Sequence, residues 1–341
     1  MHAVRLLHHR KPLADSTLPD PAPGDGEVVV EVRAAGICHS DAHYREEVGR
    51  ATLPVTLGHE IAGVVVAHGQ GVENASNGDR VALHYLVTCG SCGPCRRYGE
   101  QFCVAGEMLG KERDGGFAER IVVPAANVVP IPEEVSFAEA AIMMCSTATA
   151  YHALRLSNLR HGESVAIIGF GGLGASAVQL ARLFEAGEIY AVDVVREKLD
   201  LAESFGAQPV EVSRGRFRQS LLSATDGRGV DVALELTGNA AACVDALRSL
   251  APGGRLMLVA IDVRSFTVDG YEDLLARERR IIGCSDHTRA ELFDLMGLAR
   301  RGEIDLSRAI TRTVPLQARA INEVLDELTR GTAHLRTVIE T

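Results

Sequence analysis

The sequence predicts an α/β protein in two parts, a mostly β first domain and then a doubly wound, six-stranded parallel sheet. Three observations carry this expectation. At 341 residues the chain exceeds the size at which a single hydrophobic core stops growing. Residues 27–33 alternate, with Val28, Val30 and Val32 on one side and Glu27, Val29, Glu31 and Arg33 on the other, the period of a half-buried strand. Ser164-Val165-Ala166-Ile167-Ile168 is instead a continuous apolar run, as expected where both faces of a parallel sheet are covered.

Composition narrows the function. Hydrophobic residues make up 46% of the chain and charged residues 23%, which sets aside a disordered protein. A formal net charge of −10 offers no basic surface to nucleic acid or anionic lipid. The aromatic content of 4%, with no Trp, leaves little on which bases could stack. No apolar run approaches the ~20 residues that span a bilayer, and the first residues lack a leader pattern, so a cytoplasmic location without membrane partners is expected. Half of the eight cysteines fall between positions 89 and 103, a clustering that reads as metal binding rather than a disulfide framework.

Taken in order, the chain opens with a strand-like start and a turn-rich entry at Pro19, Pro21, Pro23, Gly24 and Gly26. The strand at residues 27–33 then delivers Gly36 and the stretch Cys38-His39-Ser40-Asp41-Ala42-His43. A thiol, a hydroxyl, a carboxylate and two imidazoles serve no common packing role, and they are the groups that zinc-assisted proton and hydride chemistry uses. Leu57-Gly58-His59-Glu60 leads into a second strand, so metal-ligand types again meet a strand end. Cys89, Cys92, Cys95 and Cys103 follow with C-x2-C-x2-C-x7-C spacing. Gly and Pro between them let the backbone fold tightly enough for four sulfurs to surround one structural zinc. Ser136 and Glu139 form a capping box at the start of a helix, within or just past which lie Cys145, Thr147 and Thr149.

The run at residues 164–168 leads into Gly169-Phe170-Gly171-Gly172-Leu173-Gly174, and residues 175–184 have helical spacing. This is the strand, turn and helix context that the dinucleotide fingerprint requires. Gly169 permits the tight turn, Gly171 lets the backbone approach a pyrophosphate, and Gly174 lets the helix pack close to the strand. Asp193 ends the next strand and can accept hydrogen bonds from the adenosine ribose. Its charge would repel a 2′-phosphate, so NAD is expected over NADP, with Arg196 nearby as the one opposing sign. Further strand signals at residues 230–235, 255–260 and 280–283 complete six strands. Helical spacing at residues 288–300 and 318–329, and a strand at residues 335–339, close the chain.

Gly36-Ile37-Cys38-His39-Ser40-Asp41, Gly58-His59-Glu60, the four-cysteine lobe, Gly115-Gly116-Phe117-Ala118-Glu119, Cys145 and the nucleotide fingerprint occur together and in this order. Over essentially its whole length the chain thus resembles the zinc-containing medium-chain alcohol dehydrogenases. The resemblance implies a GroES-like catalytic domain from residues 1–147, with the structural zinc lobe at about 88–104. A Rossmann NAD-binding domain would follow at 148–285, and 286–341 would return to the catalytic domain. It implies two zinc ions per chain: a catalytic one held by Cys38, His59 and Cys145, with Glu60 an occasional ligand, and a structural one held by Cys89, Cys92, Cys95 and Cys103.

Asp41 would orient His59, and Ser40 would take the proton of the alcohol and pass it through a cofactor ribose hydroxyl to His43. His39 would meet the pyrophosphate, where some relatives carry Arg, Thr149 the nicotinamide, and Lys198 the adenosine ribose beside Asp193. Gly172 and Leu173 would complete the phosphate-binding turn. The implied reaction is hydride transfer between an alcohol and NAD, giving an aldehyde or ketone and reversible. Alternatives are a relative acting on a polyol, amino alcohol or CoA-linked alcohol, and a nucleotide-binding sensor without catalysis. The chain lacks the insertion of the dimeric animal branch and is similar to compact microbial members, so a homotetramer is expected. Cys243 and Cys284 match no zinc position, and Cys284-Ser285-Asp286-His287 is more polar than expected beside a nicotinamide.

Overall fold

The computed structural model describes residues 1–47, 49–212, 215–261, 263–332 and 335–341. The chain forms two compact units, one of Met1–Ala148 with His287–Thr341 and one of Thr149–Asp286.

The first unit is built around the strand Glu27–Ile37. One edge of this strand pairs along almost its whole length with Glu60–His68. The other edge is shared, its first half with Arg120–Pro124 and its second half with Arg336–Glu340, both antiparallel. With Arg80–Leu83, Val128–Pro130 and Ile310–Pro315 these make a seven-stranded mixed sheet. The strand runs on from Arg33 to Ile37, beyond the alternating residues, because the C-terminal strand covers residues 34–37. Burial breaks the expected alternation too: Val29 is as buried as Val28 and Val30, since paired strands flank both edges and the core closes over both faces.

Helix Ala318–Arg330 lays Ile321, Val324 and Leu325 on the core, the i, i+3, i+4 stripe of an amphipathic helix, and ends at Gly331 in the left-handed region. Its neighbour is helix His39–Glu46. Arg45, which is buried, donates to Asp326 at 2.7 Å and reaches Asn322 at 3.5 Å, tying these two helices together.

The second unit is a six-stranded, all-parallel sheet. Its order is Gln208–Glu211, Ile189–Asp193, Val165–Ile168, Val230–Glu235, Leu250–Leu258 and Arg280–Gly283. Order reverses beside the first strand of the unit, Val165–Ile168, the position where doubly wound sheets bind ligands. All four residues of that strand are buried, as its unbroken apolar run requires. The following helix spans Gly172–Leu183, starting earlier than side-chain periodicity indicates, because glycines carry no periodic signal. Among the described residues no helix is long and apolar enough to cross a membrane.

Candidate active site and zinc centres

The stretch that follows Cys38 is a helix, His39–Glu46. Cys38 is its N-cap, and Asp41 Oδ2 accepts the Cys38 backbone N–H at 2.9 Å, so one orphan donor of the helix start is satisfied from the third helical position. The helix follows from short polar capping residues and the helix-forming Ala42, Arg45 and Glu46. Asp41 is fully buried and works twice more. Its Oδ1 accepts from the Gly58 backbone N–H at 3.3 Å and lies 3.3 Å from His59 Nδ1. One carboxylate therefore holds the backbones of Cys38 and Gly58, on separate elements, as well as facing the His59 imidazole.

Cys38, His59, Glu60 and Cys145 come together with their ligand atoms all within 4.8 Å of one another, and all four side chains are buried. They arrive from different elements: a helix cap, the residue before strand Glu60–His68, that strand's first residue, and the π-turn Met143–Thr147 that continues helix Phe137–Ile142. A π-turn within a helix commonly marks a functional position, and here it carries Cys145. Its capping box forms as read, with Ser136 Oγ accepting from the Glu139 N–H at 3.2 Å.

This quartet fits a soft divalent cation. His59 Nε2 and Glu60 Oε1 are buried without a hydrogen-bond partner, while His59 Nδ1 has only the 3.3 Å approach of Asp41 Oδ1; such orphaned groups cost free energy unless another group completes them. The adjoining Cys145 sulfur and then the nearby His59 ring hold Cys38 well below the usual thiol range against the effect of burial, and closeness to Cys38 drives Cys145 well above it. A cation replaces shared protons as the partner of such sulfurs. Burial pushes Glu60 up to about 7 against the opposing pull of Arg336. Arg336 donates to Glu60 Oε2, leaving Oε1 toward the quartet. Gly36 is required here, because a Cβ would stand 1.9 Å from Glu60 Oε2. Gly58 is in the left-handed region at φ 92° with the Phe117 ring 2.4 Å from where a Cβ would be.

Around the quartet, Ser40 Oγ lies 3.6 Å from Cys38 Sγ. His39 and His43, one helical turn apart, stack with ring centroids 4.9 Å apart and 14° between planes. His43 Nδ1 is 3.1 Å from Glu47 Oε1. Sequence reasoning passed over Glu47, although the i, i+4 spacing from His43 was a visible signal once a helix is assumed. It also left His287 open. That side chain is fully buried, packing edge-on to Tyr85 at 5.1 Å, and Tyr85 packs edge-on to His59 at 5.4 Å. His84 stands 5.2 Å from His287, and Asn127 holds the backbone here by donating to the His84 and Leu86 carbonyls at 2.6 and 2.9 Å.

The four-cysteine lobe forms a second group, Cys89, Cys92, Cys95 and Cys103, also within 4.8 Å of one another. Backbone amides of Ser91 and Cys92 pull Cys89 down to about 6, while desolvation and the adjacent Cys92 sulfur push Cys95 up to about 12. Four thiolates so close need a cation between them, and an all-sulfur set suits zinc in a closed site. All eight cysteines are free thiols. Cys243 is fully buried and Cys284 half-buried, and among the described residues neither belongs to a metal-ligand group.

In the second unit, Gly169 takes φ 99°, and a Cβ there would meet Thr237 at 2.8 Å. Gly174 would bring a Cβ to 2.6 Å from the Gly169 carbonyl. Nothing lies within 4 Å of a Cβ placed on Gly171, so the open space at the helix N-terminus is the cradle a phosphate would fill. Gly172 and Leu173 are the first residues of that helix. Asp193 ends its strand with Oδ2 accepting from the Phe170 N–H at 2.8 Å and Oδ1 from the Val195 N–H at 2.9 Å. Lys198 is half-buried in the first turn of helix Arg196–Phe205. The Arg196 guanidinium binds Asp200 at 2.8 Å and Glu211 at 2.7 Å. Thr149 is half-buried at the start of helix Ala148–Leu156.

Comparison with known proteins agrees with this geometry. The alcohol dehydrogenase GroES-like domain family matches residues 24–133, and the zinc-binding dehydrogenase family matches residues 172–300. An alcohol dehydrogenase of Geobacillus stearothermophilus is 33% identical, covering 100% of this chain and 99% of its own. An NAD-dependent alcohol dehydrogenase of Sulfolobus acidocaldarius is also 33% identical, with the same coverage. The crystal structure of the alcohol dehydrogenase from Aeropyrum pernix superposes with a TM-score of 0.91 at 32% identity over 100% of both chains. A buried Cys-His-Glu-Cys quartet, an all-cysteine lobe and a doubly wound parallel sheet in one chain, together with these full-length likenesses, establish that the protein is an enzyme of the zinc-containing medium-chain alcohol dehydrogenase family.

Proposed function

We propose that the enzyme transfers hydride between an alcohol and NAD(H), interconverting the alcohol with an aldehyde or ketone, and that it holds two zinc ions per chain. The observation that carries this reading is the buried quartet with its orphaned His59 and Glu60 atoms, beside a hydroxyl and two imidazoles. Cys38, His59 and Cys145 hold the catalytic zinc and leave a position for the substrate oxygen, with Glu60 an occasional ligand. Cys89, Cys92, Cys95 and Cys103 hold the structural zinc. When bound, the catalytic ion acts as a Lewis acid that lowers the pKa of the alcohol. Asp41 keeps His59 in register with Cys38. Ser40 receives the alcohol proton, and His43, half-buried on the same helix, delivers it to solvent.

The Thr149–Asp286 unit is the NAD-binding domain in this reading. The Gly171 cradle and the helix start at Gly172, Leu173 and Gly174 receive the pyrophosphate, which His39 also meets. Thr149 contacts nicotinamide and Lys198 the adenosine ribose. Asp193 is fixed at its strand end by two backbone donors and keeps lone pairs for the ribose hydroxyls. Arg196 is neutralised by Asp200 and Glu211, which supports NAD over NADP. Asp193→Ala is expected to lower the preference for NAD over NADP at least ~10-fold in kcat/KM, since about 1.4 kcal/mol of lost discrimination suffices. An unchanged ratio would remove Asp193 from the site.

An alcohol panel with NAD, followed by NADH absorbance, tests the whole reading. Turnover is expected with at least one primary or secondary alcohol, and silence with every alcohol would defeat it. The free thiols suit a reducing, cytoplasmic compartment. The likeness to compact microbial enzymes supports a homotetramer, which sedimentation would check.

A further inference from the structure

We propose that Glu47 is a positioning residue for the proton relay, fixing His43 so that its Nε2 is the bare nitrogen that accepts the substrate-derived proton. The inference rests on the relay reading given above.

Three contacts support it. Glu47 Oε1 lies 3.1 Å from His43 Nδ1. A carboxylate in its charged form can only accept, so Nδ1 carries the hydrogen and Nε2 presents its lone pair. Arg50 Nε donates to the other oxygen, Glu47 Oε2, at 2.6 Å, which holds the carboxylate ionised and in place: Arg50 and then His43 keep Glu47 below the usual carboxylate range against the opposing effect of burial. The His39 ring stacks on His43 from the preceding turn, so the imidazole cannot swing away from Glu47 without losing that contact. A surface ion pair alone would be worth little. Here the pair acts on a ring whose other nitrogen has a task.

The proton balance is simple. His43 gains a proton at Nε2 and becomes an imidazolium whose Nδ1–H remains on Glu47. It then releases one proton to water or buffer, and the neutral ring is restored with the same tautomer. Without Glu47 the ring divides between two tautomers and orientations, and only one of them accepts at Nε2.

The test measures kcat for alcohol oxidation by zinc-loaded enzyme with NAD, against the concentration of added imidazole. Glu47→Ala is expected to lower kcat about tenfold, part of the ~100-fold or more that general-base transfer supplies, with imidazole restoring most of the loss. Glu47→Gln, which keeps an acceptor but not the charge, is expected to fall between. Adding Glu47→Ala to His43→Ala is expected to change nothing further. A Glu47→Ala kcat within twofold of the parent, while His43→Ala is impaired, would overturn the inference and leave the relay standing. So would a loss that imidazole does not rescue and that adds to the His43→Ala loss. Full activity in His43→Ala would overturn the relay itself and the role of Glu47 with it.

Discussion

Cys38→Ser is expected to lower kcat/KM by ~1,000-fold or more and to bring the metal content from about two zinc ions per chain to about one. The first figure follows from losing Lewis-acid stabilisation of several kcal/mol at about 1.4 kcal/mol per tenfold. The second follows from the separation of the two ligand groups, which share no residue. A serine oxygen in place of the sulfur leaves Cys145 as the one thiolate beside His59, with the Glu60 carboxylate already engaged by Arg336, a set too poor in charge to hold the ion. Metal analysis and steady-state rates on the same preparation check both. Cys92→Ser is the control. It is also expected to lose about one zinc, from the lobe whose cysteines are exposed or half-buried, while the quartet stays intact and turnover per remaining zinc is retained. Full zinc content in Cys38→Ser, or inactivity of Cys92→Ser at normal quartet occupancy, would reject this division.

Much of this division was legible in the sequence, because ligand chemistry is local. The C-x2-C-x2-C-x7-C spacing needs only a tight backbone to bring its sulfurs together. The glycine turn after the continuous apolar strand is likewise a short-range pattern, and the six-stranded parallel sheet expected around it is the one that forms. What the sequence did not yield depends on contacts between distant segments. The helix His39–Glu46 reads as a mixed polar stretch, with its clearest stabilisers outside it: Asp326 and Asn322 hold Arg45 from 281 and 277 residues away. The resemblance assigns Asp41 to the His59 ring, but its bond to the Gly58 amide exists only after residues 36–41 and 58–60 have come together. The burial of His287 against Tyr85 and His84 depends on the C-terminal segment rejoining the first unit.

The same long-range closure produces the second large effect expected here, in Arg336→Met. Arg336 sits at the start of the last strand, and Glu60 at the start of its own. Both border the strand Glu27–Ile37, since Gly36 pairs with Glu60 and Thr337 with Ile37. The Glu60 side chain is fully buried and Arg336 is 6% exposed, so this ion pair is screened little by solvent. Removing only the cation leaves a carboxyl group in a dry site among Cys38, Asp41 and Cys145. Breaking a buried pair in this way costs ~3–5 kcal/mol, which denaturant unfolding of the zinc-loaded enzyme would read as a large fall in midpoint at unchanged slope. Adding Glu60→Gln to Arg336→Met is expected to recover much of that loss, because the amide is neutral without needing either the guanidinium or a proton taken up in the dry site. A cost below about 1 kcal/mol in the single variant, the size typical of exposed pairs, would mean that Glu60 is neutral in the folded protein, or that it turns its second oxygen to the metal once Arg336 is absent. Activity separates those two outcomes. A neutral Glu60 leaves kcat near the parent value, whereas a glutamate that has joined the ligand set occupies the position the substrate oxygen needs and lowers kcat/KM.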